Sequence, residues 1–298
     1  MQLWTWQTGP KQNPERNPEG NPERNPEGKT HKPSNRPFLT CSLLPQPHGF
    51  FTQQFSPTPP ESLLPTIVPI SAQALAARVY RVKQVHSGDV LLPSEIEAAV
   101  AAGLPNLEDG TPAPFPLADG IVTEQPQQAV WACSADCTPA LIGDVVTGQV
   151  AAVHAGWRGT AQKILPTAVA RLQAQGSQLK DLRIALGPAI DGRVYQVGKD
   201  VAAKVGLTVA SQLDLEPDDE ALLEALMALE NPPIFRDPDT SKVRLDVRQI
   251  NRMQLEQMGI DAVQIAIAPH CTYQEPEHFF SYRRTREKKV QWSGIVSS

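Results

Sequence analysis

From residue 66 onward, short β-rich runs alternate with stretches of helical periodicity, which limits the chain to folds that combine helices with sheets. Strands are expected at 79–85, 128–134, 139–143, 148–154, 182–186, 195–197, 262–268, 279–284 and 290–296. Helices are expected at 72–77, 94–102, 199–205, 217–230 and 245–258, and between Thr160 as N-cap and Gly176 as stop. Pro166 would fall inside that last helix, so its first turn is expected to be irregular or separate. The hairpin-like ending argues against a purely parallel sheet, and we predict an α+β fold.

The N-terminal region has a different composition. Residues 13–28 are four tandem copies of Asn-Pro-Glu followed by Arg or Gly, with no apolar residue that could join a core. We therefore predict a disordered low-complexity tail at 1–36 and a single catalytic domain at 37–298, which begins with an irregular segment at 37–65. The alternative is that the tail is a flexible tether or a peptide ligand for a partner.

Charge and cysteine content exclude several classes of function. The net charge of −5 and pI of about 5.7 show no basic excess, so the chain as a whole has no electrostatic signature of binding to nucleic acid or anionic lipid. The four cysteines are widely scattered, no signal-peptide pattern is present, and no apolar run approaches the roughly 20 residues of a spanning helix. We expect a cytoplasmic protein with reduced thiols and no membrane or nucleic-acid partner. Its oligomeric state is not readable from the sequence.

Three residues with metal-binding side chains follow apolar runs where strands are expected to end: His86, Cys137 and His154. Two imidazoles and a thiolate are an accepted ligand set for catalytic zinc, and they favour zinc or copper over magnesium or calcium. A second interpretation uses the same residues without metal. Cys137 and His154 would then form the thiolate–imidazolium pair of a cysteine nucleophile.

Other side chains are candidates for substrate contacts or for structural roles. Arg158 and Arg283 are cationic positions suited to an anion such as phosphate. Asp119 and Asp136 are candidate acids or bases, although capping of turns is the commoner role for such residues. Cys133 lies about 13 Å from Cys137 along an extended strand, too far to share a metal, and is read as a core residue.

Several known motifs are absent. The chain lacks the His-x-Glu zinc deaminase signature, the phosphate-binding loop ending in Gly-Lys, the Gly-x-Gly-x-x-Gly fingerprint and the Gly-x-Ser-x-Gly elbow. The simplest zinc deaminase, ATP-binding, dinucleotide-binding and serine hydrolase interpretations therefore have no support.

A series of motifs, in order, resembles one family. They are Lys83-Gln84-Val85-His86, Ala118-Asp119-Gly120, Ala135-Asp136-Cys137-Thr138-Pro139, His154-Ala155-Gly156-Trp157-Arg158-Gly159-Thr160, Gly187-Pro188-Ala189-Ile190 and Phe280-Ser281-Tyr282-Arg283-Arg284. The chain resembles the YfiH-type purine nucleoside phosphorylases, formerly called laccase-domain or multicopper polyphenol oxidase proteins, over roughly residues 79–297.

The resemblance implies a four-layer α/β/β/α fold with mixed sheets and a zinc ion held by His86, Cys137 and His154. It also implies phosphorolysis of adenosine, guanosine, inosine and methylthioadenosine to base and sugar 1-phosphate, with adenosine deamination as a side activity. Copper-dependent polyphenol oxidation is the older interpretation of the family. The chain departs from the family after His48-Gly49-Phe50, where a Gly-Gly-x-Ser loop is absent, and at Lys288-Lys289, where a Gly-Arg element is expected.

Two further hypotheses compete with the zinc phosphorylase. One is a metal-free hydrolase or amidase that uses Cys137 and His154 on cell-wall precursors. The other is a non-catalytic protein that binds a partner through its Asn-Pro-Glu tail. Six histidines are too few for the several copper centres of a multicopper oxidase.

Overall fold

A computed structural model describes residues 2–9, 36–68, 77–107, 109–212 and 219–298 of the chain. Within them, fifteen strands form three sheets. The first sheet has the order Trp4–Thr8 (β1), Pro37–Cys41 (β2), His48–Phe51 (β3), Gln291–Val296 (β15), Gln128–Ser134 (β7) and Arg78–Tyr80 (β4). The second has the order Ile265–Ile267 (β14), Leu182–Leu186 (β10), Thr138–Asp144 (β8), Val150–Ala155 (β9), Gly120–Val122 (β6) and Val90–Leu91 (β5). The third consists of Gln196–Gly198 (β11), Lys242–Leu245 (β13) and Ile234–Arg236 (β12).

Helices cover the outer faces of these sheets. The α-helices of the described residues are Pro60–Ile67 (α1), Pro93–Ala102 (α2), Trp157–Ala161 (α3), Ile164–Ala174 (α4), Lys199–Gly206 (α5), Asp219–Met227 (α6), Val247–Gln257 (α7) and Tyr282–Thr285 (α8). Short 3-10 helices lie at Gln53–Phe55, Leu179–Asp181, Leu207–Gln212 and Ala262–Gln264. Parallel pairing of β10 with β14 and antiparallel pairing of β10 with β8 make the second sheet mixed. The predicted α+β fold is confirmed.

The two six-stranded sheets pack face to face. Successive side chains of a strand point to opposite faces, so each strand contributes to two cores. Phe50, Val130, Leu141 and Ala152 are fully buried and belong to the core between the sheets.

On the outer faces, Trp131 of β7 packs in one core with Leu63 of α1, whereas Ile142 and Val153 pack in another core with Leu165 of α4. The order helix, sheet, sheet, helix is the four-layer arrangement that the resemblance implied. The three-stranded sheet has a separate core with α5, α6 and α7.

Part of the predicted disordered tail is a strand, so the prediction for residues 1–36 was wrong there. β1 pairs with β2 in antiparallel register, with Trp4 opposite Cys41 and Thr8 opposite Pro37. Trp4 is buried, with its ring 5.2 Å from that of Phe50, and this apolar contact offsets the cost of ordering the segment. The repeat at 13–28 and most of the helix predicted at 72–77 lie outside the described residues.

The segment 37–65 is also more regular than predicted. It contains β2, β3 and most of α1, which starts at Pro60, where the missing backbone N–H costs nothing. Its prolines lie in connecting segments or at the ends of strands and helices, apart from Pro65 inside α1.

Near the C terminus, the strand predicted at 279–284 was wrong. Ser281 accepts a hydrogen bond from the backbone of Arg284 and caps the short helix α8 instead. The final strand β15 pairs with β3 and β7 rather than with a hairpin partner.

The helix predicted to begin at Thr160 begins earlier and is divided. α3 starts at Trp157 after Gly156 as N-cap, and Lys163 at φ 57° separates it from α4. The predicted irregular first turn is confirmed, whereas Thr160 is not the N-cap. Gly176, at φ 100°, follows the end of α4 as predicted.

Candidate metal centre

Asp119 lies just before β6 and organises the loop that carries the first candidate ligand. Its carboxylate is 1% exposed and accepts hydrogen bonds from the backbone N–H groups of Val85, His86 and Ser87 at 3.0, 3.0 and 2.7 Å. His86 has φ 62°, a left-handed conformation that non-glycine residues rarely adopt. The three hydrogen bonds compensate for that strain. The strand predicted at 79–85 ends at Tyr80, so His86 lies in a loop rather than directly at a strand end.

The same carboxylate orients the third candidate ligand, His154 at the end of β9. Asp119 Oδ1 lies 2.8 Å from His154 Nδ1, and the backbone N–H of His154 donates to the Asp119 carbonyl oxygen at 2.7 Å. Burial raises the pKa of the Asp119 carboxyl, but hydrogen bonds from His154 and the 85–87 loop outweigh it and hold the pKa below its ordinary value. Because a carboxylate only accepts, Nδ1 of His154 donates and Nε2 is left to face Cys137 and His86.

Cys137 lies in the short loop between β7 and β8. The preceding residue, Asp136, has φ 88° and is tied to the C-terminal part of the chain: its carboxylate accepts from Thr272 Oγ1 at 2.8 Å and from the backbone N–H of Arg283 at 2.7 Å. These contacts fix the turn that presents the half-buried Cys137 thiol. Capping of backbone groups was the structural role predicted for both Asp119 and Asp136.

The three predicted ligands converge. One potential ligand atom from each of His86, Cys137 and His154 lies within 4.8 Å of the other two, and the two imidazole rings are 5.0 Å apart at nearly a right angle. A Cβ added to Gly156 would lie only 2.9 Å from Cys137 Sγ and 3.3 Å from His86 Cδ2. The glycine therefore leaves open the space around the sulfur that a side chain would fill.

The electrostatics of the site favour a thiolate. Burial raises the pKa of the Cys137 thiol, but the charge of His154 and hydrogen bonds from both histidines lower it to about 6. Burial likewise lowers the pKa of His154, and the Cys137 thiolate together with Asp119 raises it to about 10. The metal-free site is thus a thiolate–imidazolium pair, which serves either as a nucleophile or as a metal ligand set once His154 gives up its proton.

The donor set fits zinc. Two imidazole nitrogens and one thiolate are three protein ligands of the types zinc takes in catalytic sites, with a fourth position for water or substrate. The Asp119–His154 contact is the carboxylate–histidine arrangement that fixes the ring of a metal-binding histidine. Among the described residues, these three form the single group of His, Cys, Asp or Glu side chains placed to share a metal ion.

Cys133 is not part of the group, as predicted. Its backbone N–H donates to Gln84 Oε1 at 2.8 Å, and burial raises the pKa of its thiol to about 12. His48 of the His-Gly-Phe motif also lies elsewhere, because its Nε2 accepts the backbone N–H of Cys41 inside the first sheet.

The two arginines predicted to contact substrate are stacked on aromatic rings. Arg158 lies over Trp157, with Cζ 4.4 Å from the ring centroid, and Arg283 lies over Tyr195 at 4.9 Å. Sequence reasoning missed Tyr195, whose phenol is close enough to Cys137, Asp136 and both arginines for their charges to affect its pKa. A lone tyrosine after the Gly187-Pro188-Ala189-Ile190 motif gave no periodic or spacing signal.

The family is decided by a match over most of the chain. Residues 69–296 match the family described as multi-copper polyphenol oxidoreductase laccase. The chain belongs to this family. The resemblance stated from the motifs is therefore confirmed.

Other members of the family carry names that refer to purine nucleosides. A protein of Synechocystis sp. named purine nucleoside phosphorylase is 49% identical over 262 residues, which cover 88% of this chain and 94% of that protein. An adenosine deaminase from an unknown prokaryotic organism is 32% identical over 166 residues, 56% of each chain.

A solved structure supports the same relationship. The structure of Bacillus licheniformis YfiH, described as a hypothetical protein, superposes with a TM-score of 0.60 at 26% identity and covers 84% of this chain and 92% of that one. Among the described residues, no helix is both long and apolar enough to cross a bilayer.

Proposed function

We propose that the protein is a zinc-dependent purine nucleoside phosphorylase. The observation that carries the proposal is the preformed group of His86, Cys137 and His154, held in place by Asp119. The names of the relatives supply the reaction, since the 49% identical Synechocystis protein is named for phosphorolysis of purine nucleosides. The proposed substrates are adenosine, guanosine, inosine and methylthioadenosine, together with phosphate.

In the proposed reaction, a phosphate oxygen forms a bond to the anomeric carbon of the sugar. The bond between that carbon and the purine nitrogen breaks, its electron pair stays on the nitrogen, and the base takes up a proton. The products are the free base and the sugar 1-phosphate.

Zinc bound by His86, Cys137 and His154 would supply a Lewis acid beside the substrate. The chain's own residues position the ligands. Asp119 forms hydrogen bonds to both histidine loops, and Gly156 keeps the space near the Cys137 sulfur open. Deamination of adenosine, proposed as the side activity, adds water to the purine carbon that bears the amino group and releases ammonia. The relative named adenosine deaminase supports it.

The test is an assay of purified, zinc-loaded protein with inosine. We expect release of hypoxanthine only when phosphate is present, and loss of that activity in His154→Ala. His270→Ala is a matched control, because the ring of His270 contacts Glu275 and not the group of His86, Cys137 and His154. Release of hypoxanthine without phosphate would contradict the phosphorylase.

The metal-free hydrolase or amidase remains a second candidate, because the low pKa of Cys137 beside His154 is what a cysteine nucleophile needs. Metal analysis separates the two proposals. An activity that survives chelation and is abolished by Cys137→Ser would support the hydrolase.

A further inference from the structure

The side chains of Arg158 and Arg283 stack on aromatic rings at the edge of one hydrophobic core. Trp157 and Tyr195 are partly buried and both pack against the core of the three-stranded sheet. Arg158 stacks on the first ring and Arg283 on the second. The stacking restrains both guanidinium groups, so a ligand that binds them gives up less side-chain entropy than it would with free arginines.

Neither positive charge is neutralised by a carboxylate among the described residues. The side chain of Arg283 donates one hydrogen bond, from Nη1 to the carbonyl oxygen of Gln196 at 2.9 Å. Arg244, by contrast, is paired with Asp237 at 2.7 Å, and Arg248 with Asp191 at 3.0 Å. Arg158 and Arg283 are therefore available to an anionic ligand in a way that these two arginines are not.

Each arginine is linked to one of the loops that carry the metal ligands, Arg158 along the chain and Arg283 through a hydrogen bond. Arg158 follows His154 by four residues, in the first turn of α3. The backbone N–H of Arg283 donates to the carboxylate of Asp136, the residue that precedes Cys137. The His154 loop thus leads directly to Arg158, and the Cys137 loop is hydrogen-bonded to the segment that carries Arg283.

Tyr195 lies close enough to Cys137, Arg158 and Arg283 for their charges to affect its pKa, and it offers a hydroxyl. Its oxygen has no hydrogen-bond partner in the part of the chain that the structure describes. Burial, followed by the nearby charge of Cys137, raises the pKa of the phenol to about 12, so the hydroxyl keeps its proton and acts as a donor at neutral pH.

We propose that Arg158, Tyr195 and Arg283 form the binding site for the phosphate co-substrate. Two guanidinium groups supply charged hydrogen-bond donors and the hydroxyl supplies a neutral one, and a phosphate dianion is an anion that accepts from both kinds of donor. This inference rests on the proposed phosphorylase, and it adds Tyr195 to the substrate-binding residues.

The first experiment measures steady-state kinetics of the zinc-loaded full chain with inosine and phosphate. In Arg158→Gln and Arg283→Gln we expect the KM for phosphate to rise about 10- to 100-fold, because each change removes a charged hydrogen-bond donor. Tyr195→Phe removes only the hydroxyl, and a smaller rise of about 3- to 10-fold is expected. The KM for inosine and the zinc content are expected to stay at their wild-type values.

Arg286→Gln is the matched control. Arg286 also stacks on a tyrosine, with Cζ 5.7 Å from the ring of Tyr282, but it is exposed and, among the described residues, forms no hydrogen bond or ring contact with Asp136 or Tyr195. Its KM for phosphate is expected to be unchanged. Equal values of this KM in the wild type and in all three site variants would overturn the proposal.

A second experiment separates this proposal from the phosphorylase itself. Inorganic phosphate is titrated calorimetrically into the zinc-loaded protein without nucleoside. If the wild type shows no phosphorolysis but binds phosphate, and Arg283→Gln abolishes that binding, the anion site stands and the phosphorylase fails. If phosphorolysis occurs and the variants bind phosphate as the wild type does, the phosphorylase stands and the anion site fails.

Discussion

Asp119 and Asp136 are both buried aspartates whose carboxylates accept backbone hydrogen bonds beside the same candidate metal centre, yet they connect it to different parts of the chain. Asp119 binds the backbone of the 85–87 loop and the ring of His154, so its partners include two of the three ligands. Asp136 binds Thr272 and the backbone of Arg283, both near the C terminus.

The difference between the two aspartates separates two roles. The contacts of Asp119 determine where two ligands stand and which nitrogen of His154 is free. The contacts of Asp136 determine how the Cys137 loop meets the segment that carries Arg283. We therefore expect Asp119 to govern metal affinity and Asp136 to govern substrate binding.

The largest effect is expected for Asp119→Asn. An amide cannot accept at both of its terminal atoms, so at least one backbone N–H of the 85–87 loop loses its partner. We expect metal affinity to fall about 10- to 100-fold and the free energy of unfolding to fall by about 1–3 kcal/mol. Metal content after dialysis against a chelator and denaturant unfolding measure the two effects.

Asp144→Asn is the control for this change. Asp144 is fully buried and also accepts backbone hydrogen bonds, from Val146 and Thr147, but it lies at the far end of β8. The Asp144→Asn protein should be less stable than the wild type but should retain its metal. Equal metal retention by the two variants would show that Asp119 has no special part in the site.

A smaller and different effect is expected for Asp136→Asn. One of its two hydrogen bonds, to Thr272 or to the backbone of Arg283, is lost, and the Arg283 segment shifts relative to Cys137. We expect kcat/KM for phosphorolysis to fall about tenfold while zinc content is retained. Loss of metal comparable to that in Asp119→Asn would contradict the separate roles assigned to the two aspartates.

The pH dependence of the metal-free protein tests the ion pair between Cys137 and His154, the ligands next to Asp136 and Asp119 respectively. The shift of Cys137 from 9.0 to about 6 contributes stability that is present above pH 9.0 and lost as pH falls through about 6. The shift of His154 from 6.5 to about 10 contributes stability that is present below pH 6.5 and lost as pH rises through about 10. Between 6.5 and 9.0 the two slopes have opposite sign, so we expect a nearly constant melting temperature there.

Cys137→Ser removes the thiolate and leaves the His154 proton, held by Asp119, as the remaining contribution. Because the thiolate is the largest of the causes that raise the pKa of His154, the stability from the remaining contact with Asp119 should be lost at a lower pH than in the wild type, and the melting temperature should fall as the pH rises through the same interval. Thermal unfolding in the presence of a chelator measures both curves. A wild-type curve that falls as steeply as that of the variant would contradict the ion pair.

The smallest effect is expected far from both aspartates. The backbone N–H of Gly9 donates to the carbonyl oxygen of Arg36 at 3.0 Å, so the two ends of the segment 10–35 meet at the end of the β1–β2 pair. Replacing 10–35 by Asn-Gly, a tight hairpin turn, should change the melting temperature by less than about 3 °C and leave metal content and activity unchanged. A large loss of activity would assign the repeat a role at the site.

Sequence periodicity predicted the central strands well. The strands expected at 128–134 and 182–186 have those bounds in the structure, because each is buried on both faces and its apolar run ends at a polar or glycine-containing turn. Prediction failed where a distant apolar contact or a local helix cap outweighs the hydrophobic pattern. The contact of Trp4 with Phe50 stabilises β1 in the first sheet. The Ser281 cap begins a helix at 282–285, where the alternation of apolar and polar residues had favoured a strand.

The candidate site was predicted in part. The positions of His86, Cys137 and His154 at strand ends were enough to suggest a shared metal, and their convergence is confirmed. The link from Asp119 to both histidine loops was not predicted, because it joins residues that are more than thirty positions apart along the chain. Tyr195 was missed for the same reason.

The sequence by itself determined the α+β class, the family and the types of side chain that the site contains, since these depend on local periodicity and on ordered motifs. Only the tertiary structure decided that one carboxylate orients two ligands, that Gly156 opens the space beside the sulfur, and that two arginines stack on aromatic rings. The physical reason is that hydrogen bonds and charges act over a few ångströms in space, and packing of the two sheets brings those groups together from distant positions in the chain.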